Sequence, residues 1–151
     1  MILIDEATLT QVARDVCETM LGFSLSHARN PVRDGGRWVA TVRLSGDFAA
    51  IVEIETVRAV AQRMACRMFA VEPGDLDESD LRDALGEVVN MIGGNVKGIL
   101  SGEFDLSLPR VEERDEPSSA EVTDAVTARL SCEGSPFRVR LAATQSVVLT
   151  T

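Results

Sequence analysis

Apolar residues recur along this chain with two different periods, one close to 3.6 residues and one of two. The helical period predicts amphipathic helices over residues 5–21, 56–70 and 79–101. The period of two predicts strands over residues 37–44, 48–55, 104–108, 125–132 and 137–143. Because every predicted strand has one apolar face, we expect an α+β fold, an antiparallel β-sheet with helices packed on one face. No linker divides residues 1–151, so a single domain is expected.

The segments between these elements carry turn and cap residues. Residues 45–47 predict a hairpin turn, and residues 23–36 predict a loop with at most a short strand. Ser79 is the expected N-cap of the third helix, which places Asp83 near the positive end of the helix dipole. The charged stretch 112–121 predicts a loop or the entrance to the next strand, and 147–149 predicts a last short strand.

The net charge of the chain excludes some classes of binding partner. The net charge is −9, whereas nucleic acids and anionic membrane surfaces attract basic proteins, so neither is an expected partner. A protein partner with a basic face is compatible with this charge. The first residues lack the basic region of a signal peptide, and no apolar run reaches the ~20 residues that span a bilayer. We therefore expect a cytoplasmic protein without membrane insertion.

Common catalytic and metal-binding motifs are missing from the sequence. Cys17, Cys66 and Cys132 lie far apart and form no CxxC pair, so we expect three unpaired thiols, buried or half-buried, in a reducing compartment. His27 is the single histidine, and no other residue supports a catalytic triad around it. The sequence has no phosphate-binding GxxxxGK[ST] loop and no zinc or EF-hand spacing, so no metal site is predicted.

The third predicted helix carries an unusual polar stripe. Its members follow each other at intervals of three or four residues: Asp83, Glu87, Asn90, Gly94 and Lys97. Four glycines also fall inside this helix, at Gly86, Gly93, Gly94 and Gly98. Each glycine costs about 1 kcal/mol relative to alanine in a helix, and asparagine is a poor helix former. A solvated helix face would explain the stripe alone, but the unfavourable residues indicate a docking or catalytic site or close packing.

The stretch from Asp83 to Asn95 closely resembles the signature helix of the CheC/CheX/FliY family, phosphatases of the phosphorylated chemotaxis response regulator CheY. It is most similar to CheX, which has one such helix per chain, and the resemblance covers nearly the whole chain. Residues 45–48 and 104–109 resemble the family's hairpin and its proline-terminated strand. The acidic stretch 110–116 departs from the more apolar, glycine-containing sequence expected after that proline.

This resemblance implies hydrolysis of the aspartyl phosphate of a CheY-like receiver. Asn90 would orient the attacking water, and Glu87 would pair with the lysine of the receiver active site. Asp83 and Lys97 would assist docking, while Gly86 and Gly94 would leave room for the partner. The chain would need no cofactor of its own, since Mg²⁺ is expected in the receiver. The resemblance to CheX also implies a homodimer. The alternatives are a non-catalytic module that binds a receiver or a flagellar-switch component, and an inert structural domain.

Overall fold

The computed structural model describes residues 4–28, 36–114 and 124–143. Its α-helices are α1 (Glu6–Leu21), α2 (Arg58–Phe69) and α3 (Glu78–Ile99), with a 3-10 turn at Pro73–Asp75. Its strands are β1 (Leu25–His27), β2 (Arg37–Gly46), β3 (Ala50–Val57), β4 (Phe104–Leu106), β5 (Arg110–Arg114), β6 (Asp124–Cys132) and β7 (Ser135–Ala143). The predicted α+β class and the order of helices and hairpins are confirmed.

The strands form one antiparallel sheet in the order β1-β6-β7-β3-β2-β4. Strand β5 pairs with the same edge of β2 as β4, so the two follow each other along that edge. The helices cover one face of the sheet, on which apolar side chains such as Trp38, Ile54 and Val139 are fully buried. Within the described ranges, no helix is both long enough and apolar enough to cross a membrane.

Helix α3 starts two residues earlier than the sequence prediction. Asp77, not Ser79, is its N-cap: an Asp77 carboxylate oxygen accepts from the Asp80 backbone N–H at 3.0 Å, and the Asp80 carboxylate accepts from the Asp77 N–H at 3.0 Å. This reciprocal capping box satisfies two backbone donors at once, which explains why it prevails over Ser79. Asp83 consequently lies in the second turn, beyond the strongest effect of the helix dipole.

The start of α2 and the charged stretch after Pro109 also differ from expectation. Thr56 and Val57 continue β3, where the Thr56 hydroxyl donates to the Pro136 carbonyl at 2.7 Å, so α2 begins at Arg58. The predicted loop at residues 112–114 is wrong, because β5 completes the exposed edge of β2 there. Residues 115–121 and the strand predicted at 147–149 lie outside the described residues. The short strand expected within 23–36 is confirmed as β1.

The face of the sheet that points away from the helices is also buried at its centre. Glu53 and Glu55 of β3 are each only 3% exposed. They lie among arginines of the neighbouring strands: Arg37 Nε is 3.5 Å from Glu55, Arg140 Nε is 3.8 Å from Glu53, and Arg138 pairs with both. The prediction of a hairpin with a single buried face is therefore wrong for β3. Cross-strand ion pairs make this burial tolerable.

Helix α3 lies unusually close to the sheet at Gly93. A Cβ atom added to Gly93 would lie 2.7 Å from Val42 Cγ2 and 3.1 Å from Leu106 Cδ1. Real Cβ atoms do not approach carbon that closely, so this position requires glycine. Gly98, five residues further along α3, has open space around it. The two glycines of one helix therefore have different reasons to be there, close packing at Gly93 and no structural need at Gly98.

Substituting these two glycines separates the effects of packing and propensity. Gly93→Ala should lower the free energy of unfolding by about 1–3 kcal/mol, because the new methyl group overpacks the contact with Val42. Gly98→Ala, the matched control, should raise it by about 0.5–1 kcal/mol, because alanine favours the helix and nothing is displaced. Urea denaturation of both variants measures the difference. Equal effects of the same sign would contradict the packing at Gly93.

The three cysteines are unpaired, as the sequence predicts, with Cys17 and Cys132 buried and Cys66 half-buried. Burial, reinforced by the nearby Cys132 and Glu18, raises the pKa of the Cys17 thiol to about 12. Burial likewise raises the pKa of Cys132, with Arg63 opposing the shift. Both groups are therefore protonated at neutral pH, and a protonated thiol is a poor nucleophile.

Alkylation should distinguish the cysteines. In the native protein at pH 8, iodoacetamide should modify Cys66 first, and Cys17 and Cys132 should react only when the protein is unfolded in denaturant. Peptide mass spectrometry of samples taken at increasing times measures each site separately. Modification of native Cys17 as fast as Cys66 would contradict the burial of Cys17 in the core.

Candidate functional site

The predicted polar stripe lies on the face of α3 that points away from the core. Asp83, Glu87, Gly94 and Lys97 are exposed, and Asn90 is half-buried. The opposite face of the helix is fully buried, with Leu85, Val88, Val89, Ile92 and Val96 in the core. The apolar period of α3 thus fixes the rotation of the helix, and this rotation presents the five residues together on one surface.

The polar side chains of this stripe have no partners within the described parts of the chain. Asp83, Glu87, Asn90 and Lys97 form no hydrogen bond or ion pair there, whereas Asp77 and Asp80 at the start of the same helix are both bonded. Asp83 and Glu87, one turn apart, repel each other and cost the helix a few tenths of a kcal/mol. The carboxylates are free to accept hydrogen bonds, and the Asn90 amide is free to accept and donate.

The glycines around the stripe differ in what surrounds them. Gly94 and Gly98 have no atom within 4 Å of an added Cβ, so the surface beside Gly94 is open. Gly86 is buried, and its added Cβ would lie 3.4 Å from Pro109 Cγ. Gly86 is therefore covered by Pro109 of the same chain, at ordinary van der Waals distance. Its interpretation as clearance for a partner has to be revised, although Gly86 remains on the wall of a surface groove described below.

The edge of the sheet breaks beside this helix face. Ser107 extends the pairing of β4 with β2, since its N–H donates to the Arg43 carbonyl at 2.9 Å and its hydroxyl accepts from the Arg43 N–H at 2.8 Å. Pro109 has no N–H to donate, and the edge turns at Leu108 before β5 begins. As a result the Leu108 side chain is 89% exposed.

A surface groove of about 590 Å³ lies next to the stripe. Its apolar walls come from the end of α2 and from the sheet edge, and its polar wall comes from α3: Met68, Phe69, Arg82, Asp83, Gly86, Glu87, Pro109 and Val111. Arg82 joins the two sides, because its Nη1 donates to the Val111 carbonyl at 2.6 Å and its guanidinium lies 5.3 Å from the centre of the Trp38 ring. The sequence analysis did not predict this groove. The position of the large apolar Phe69 at the end of α2 could have indicated an exposed apolar surface there.

Other candidate residues do not join the site. His27 is exposed on β1, which pairs with β6 at the edge of the sheet opposite β4. In residues 4–28, 36–114 and 124–143, no three His, Cys, Asp or Glu side chains group as metal ligands would. The chemistry available on the stripe is therefore that of one carboxamide, two carboxylates and one ammonium group on an exposed helix face, next to an apolar groove.

The open antiparallel sheet with its packed helices is the α+β fold of the CheC- and CheX-like class of proteins. Within this class the sequence decides between families. The pattern of the family described as chemotaxis phosphatase CheX matches residues 38–132, and the chain belongs to this family. The match includes all of α3, the groove and Leu108. No curated protein sequence matches the chain at a significant level.

Solved structures share the fold at low sequence identity. A CheX chemotaxis protein from Desulfovibrio desulfuricans is 21% identical, with a TM-score of 0.72 over 89% of this chain and 95% of that one. The CheX–CheY–BeF3–Mg²⁺ complex from Borrelia burgdorferi gives 21% identity and a TM-score of 0.71 over 94% and 99%. FliY from Thermotoga maritima gives 17% identity and a TM-score of 0.62 over 99% and 95%.

The guanidinium of Arg82 connects α3 to β5, and its removal should lower the local stability of β5. Arg82→Ala deletes the hydrogen bond to the Val111 carbonyl and the contact with Trp38, so we expect a loss of about 1 kcal/mol of stability and faster hydrogen exchange at β5 amides. Lys97→Ala on the same helix is the control and should change stability by less than about 0.5 kcal/mol. Unchanged exchange in β5 of the Arg82 variant would mean that this hydrogen bond does not hold the strand.

Proposed function

We propose that this protein hydrolyses the aspartyl phosphate of a CheY-like receiver and so terminates its signal. One observation carries the proposal: the family-signature residues Glu87 and Asn90 lie on the exposed face of a well-packed helix and have no bonding partner in the described chain. Membership of the CheX family supports the activity. The existence of a complex between a CheX protein of the same fold and CheY supports the kind of partner.

Asn90 is the residue proposed to orient the attacking water. Its carbonyl oxygen can accept a hydrogen bond from the water while its NH₂ donates to a phosphoryl oxygen, and the neutral amide does not repel the phosphoryl group. Hydrolysis of an aspartyl phosphate depends mainly on positioning the nucleophile in line with the leaving oxygen. Asn90 is half-buried, whereas the other members of the stripe are exposed, and it lies on a helix that the core holds in place.

Glu87 is proposed to pair with the lysine of the receiver active site. It lies three residues before Asn90, so the two side chains emerge from neighbouring turns of α3 and an ion pair at one would fix the position of the other. The Mg²⁺ that neutralises phosphoryl charge would be held by the acidic pocket of the receiver, and this chain would supply no ligand to it. Asp83, Gly94 and Lys97 extend the docking face along the helix.

Two substitutions test these roles. Asn90→Ala should lower the rate of receiver dephosphorylation on the order of 10²-fold with little change in receiver affinity, because only the orientation of the water is lost. Glu87→Ala should weaken affinity as well as rate, because the ion pair contributes to docking. Phosphate release from a phosphorylated receiver of the same organism, measured over a range of protein concentrations, separates the two effects.

The matched controls are Asn95→Ala, an exposed asparagine of α3 outside the stripe, and Glu103→Ala, an exposed glutamate after the helix. Both should behave as wild type. If the Asn90 and Glu87 variants dephosphorylate the receiver as fast as these controls, the catalytic assignment is wrong. Saturable receiver binding without faster phosphate release by the wild type would instead support the non-catalytic binding module.

A further inference from the structure

We propose that an apolar docking surface beside the polar stripe binds an apolar side chain of the receiver, next to the active-site lysine of the receiver. This docking surface is formed by Met68, Phe69, Leu108, Pro109 and Val111. This inference rests on the proposed function, because it takes the receiver as the partner of α3. It adds residues from α2 and the sheet edge to a site that otherwise consists of a single helix.

The docking surface is continuous with the proposed catalytic residues. The chain from Leu106 to Pro109 runs beside α3, with Leu106 against Gly93 and Pro109 against Gly86. These two glycines are seven residues apart, so the segment covers two helical turns, about 10 Å. Asn90 lies between the two glycines along α3, so the segment that carries the exposed Leu108 runs past the turn that carries Asn90. On the other side, Glu87 itself forms part of the groove that contains Met68 and Phe69.

Two residues of the docking surface, Leu108 and Phe69, are unusually exposed for large apolar side chains. Among the described residues, the large hydrophobic side chains that are exposed are Leu108 at 89%, Met20 at 61%, Ile99 at 49% and Phe69 at 40%. Leu108, Phe69 and Ile99 all lie next to α3 or on it, and Met20 alone lies on α1. Exposed apolar residues grouped around a groove, with polar groups along one rim, are typical of protein-binding surfaces.

The charge of the groove indicates what it binds. Asp83 and Glu87 supply two carboxylates to its rim, and Arg82, held on the neutral Val111 carbonyl and Trp38 ring, leaves the lining with one net negative charge. The carboxylates on the rim can pair with a lysine of the partner, and the apolar side chains of the groove can contact an apolar side chain next to that lysine. If Glu87 pairs with the receiver lysine, the receiver residues next to that lysine lie against the apolar side chains of the groove. The partner surface is therefore a basic residue and an adjacent apolar residue at the mouth of the receiver active site.

Binding and hydrolysis are measured separately to test this inference. Leu108→Ser and Phe69→Ser should each weaken binding of a beryllofluoride-activated, Mg²⁺-loaded receiver about tenfold or more by isothermal titration calorimetry. At saturating protein, both variants should still release phosphate from the phosphorylated receiver at the wild-type rate, because Asn90 is unchanged. Met20→Ser, at a comparably exposed residue of α1, is the control and should bind as wild type. Circular dichroism and thermal unfolding of each variant establish that it is folded.

The outcomes separate this inference from the proposed function. If the wild type hydrolyses the phosphate and both serine variants bind normally, the docking surface is wrong and the function stands. If the wild type binds without hydrolysis and the serine variants bind weakly, the docking surface stands and the catalytic proposal fails. If the wild type does not bind the activated receivers of its organism, both are overturned. A loss of binding by Met20→Ser equal to that of Leu108→Ser would also overturn a localised docking surface.

Discussion

The close contact of α3 with the sheet edge is the constraint on which the rest of the site depends. Gly93 allows the helix to approach Val42 and Leu106, and Pro109 packs against the helix at Gly86. The two positions are two turns apart on one side of the helix, so this side lies against the sheet edge along both turns. With that side held, Glu87 and Asn90 point away from the core and the edge strand turns outward at Leu108. A bulkier residue at Gly93 would disturb the position of the whole stripe.

Helix α3 contains residues that disfavour helix formation, yet packing against the core holds it in a fixed position. The repulsion of Asp83 and Glu87 and the open glycines at 94 and 98 weaken the isolated helix. The Asp77–Asp80 capping box and the fully buried apolar face offset this weakness. Such a balance suits a residue that has to orient water, because catalysis by positioning requires a rigid support and a side chain that forms no competing bonds. Functional residues are therefore expected where local preference is violated and tertiary packing compensates.

The sequence predicted the parts of the fold that depend on local period. Alternation along β2, β3, β6 and β7, and the apolar stripes of the helices, were sufficient for the α+β class and for the exposed face of α3. Features that depend on distant residues were missed. The burial of Glu53 and Glu55 needs arginines from β2 and β7, β5 forms because β2 has a free edge, and the role of Gly86 depends on Pro109. Asp77 was missed as the N-cap because either Asp77 or Ser79 could start the helix, and only the reciprocal bonds with Asp80 decide between them.

A structure of this protein bound to a beryllofluoride-activated, Mg²⁺-loaded receiver tests the central claim most directly. The account predicts that α3 enters the receiver active site, with the Asn90 amide within hydrogen-bond distance of the position of the attacking water and the Glu87 carboxylate paired with the receiver lysine. Leu108 and Phe69 should be buried against the receiver in the same interface. A complex in which the receiver contacts another face of the protein, and Glu87 and Asn90 remain in solvent, would contradict it.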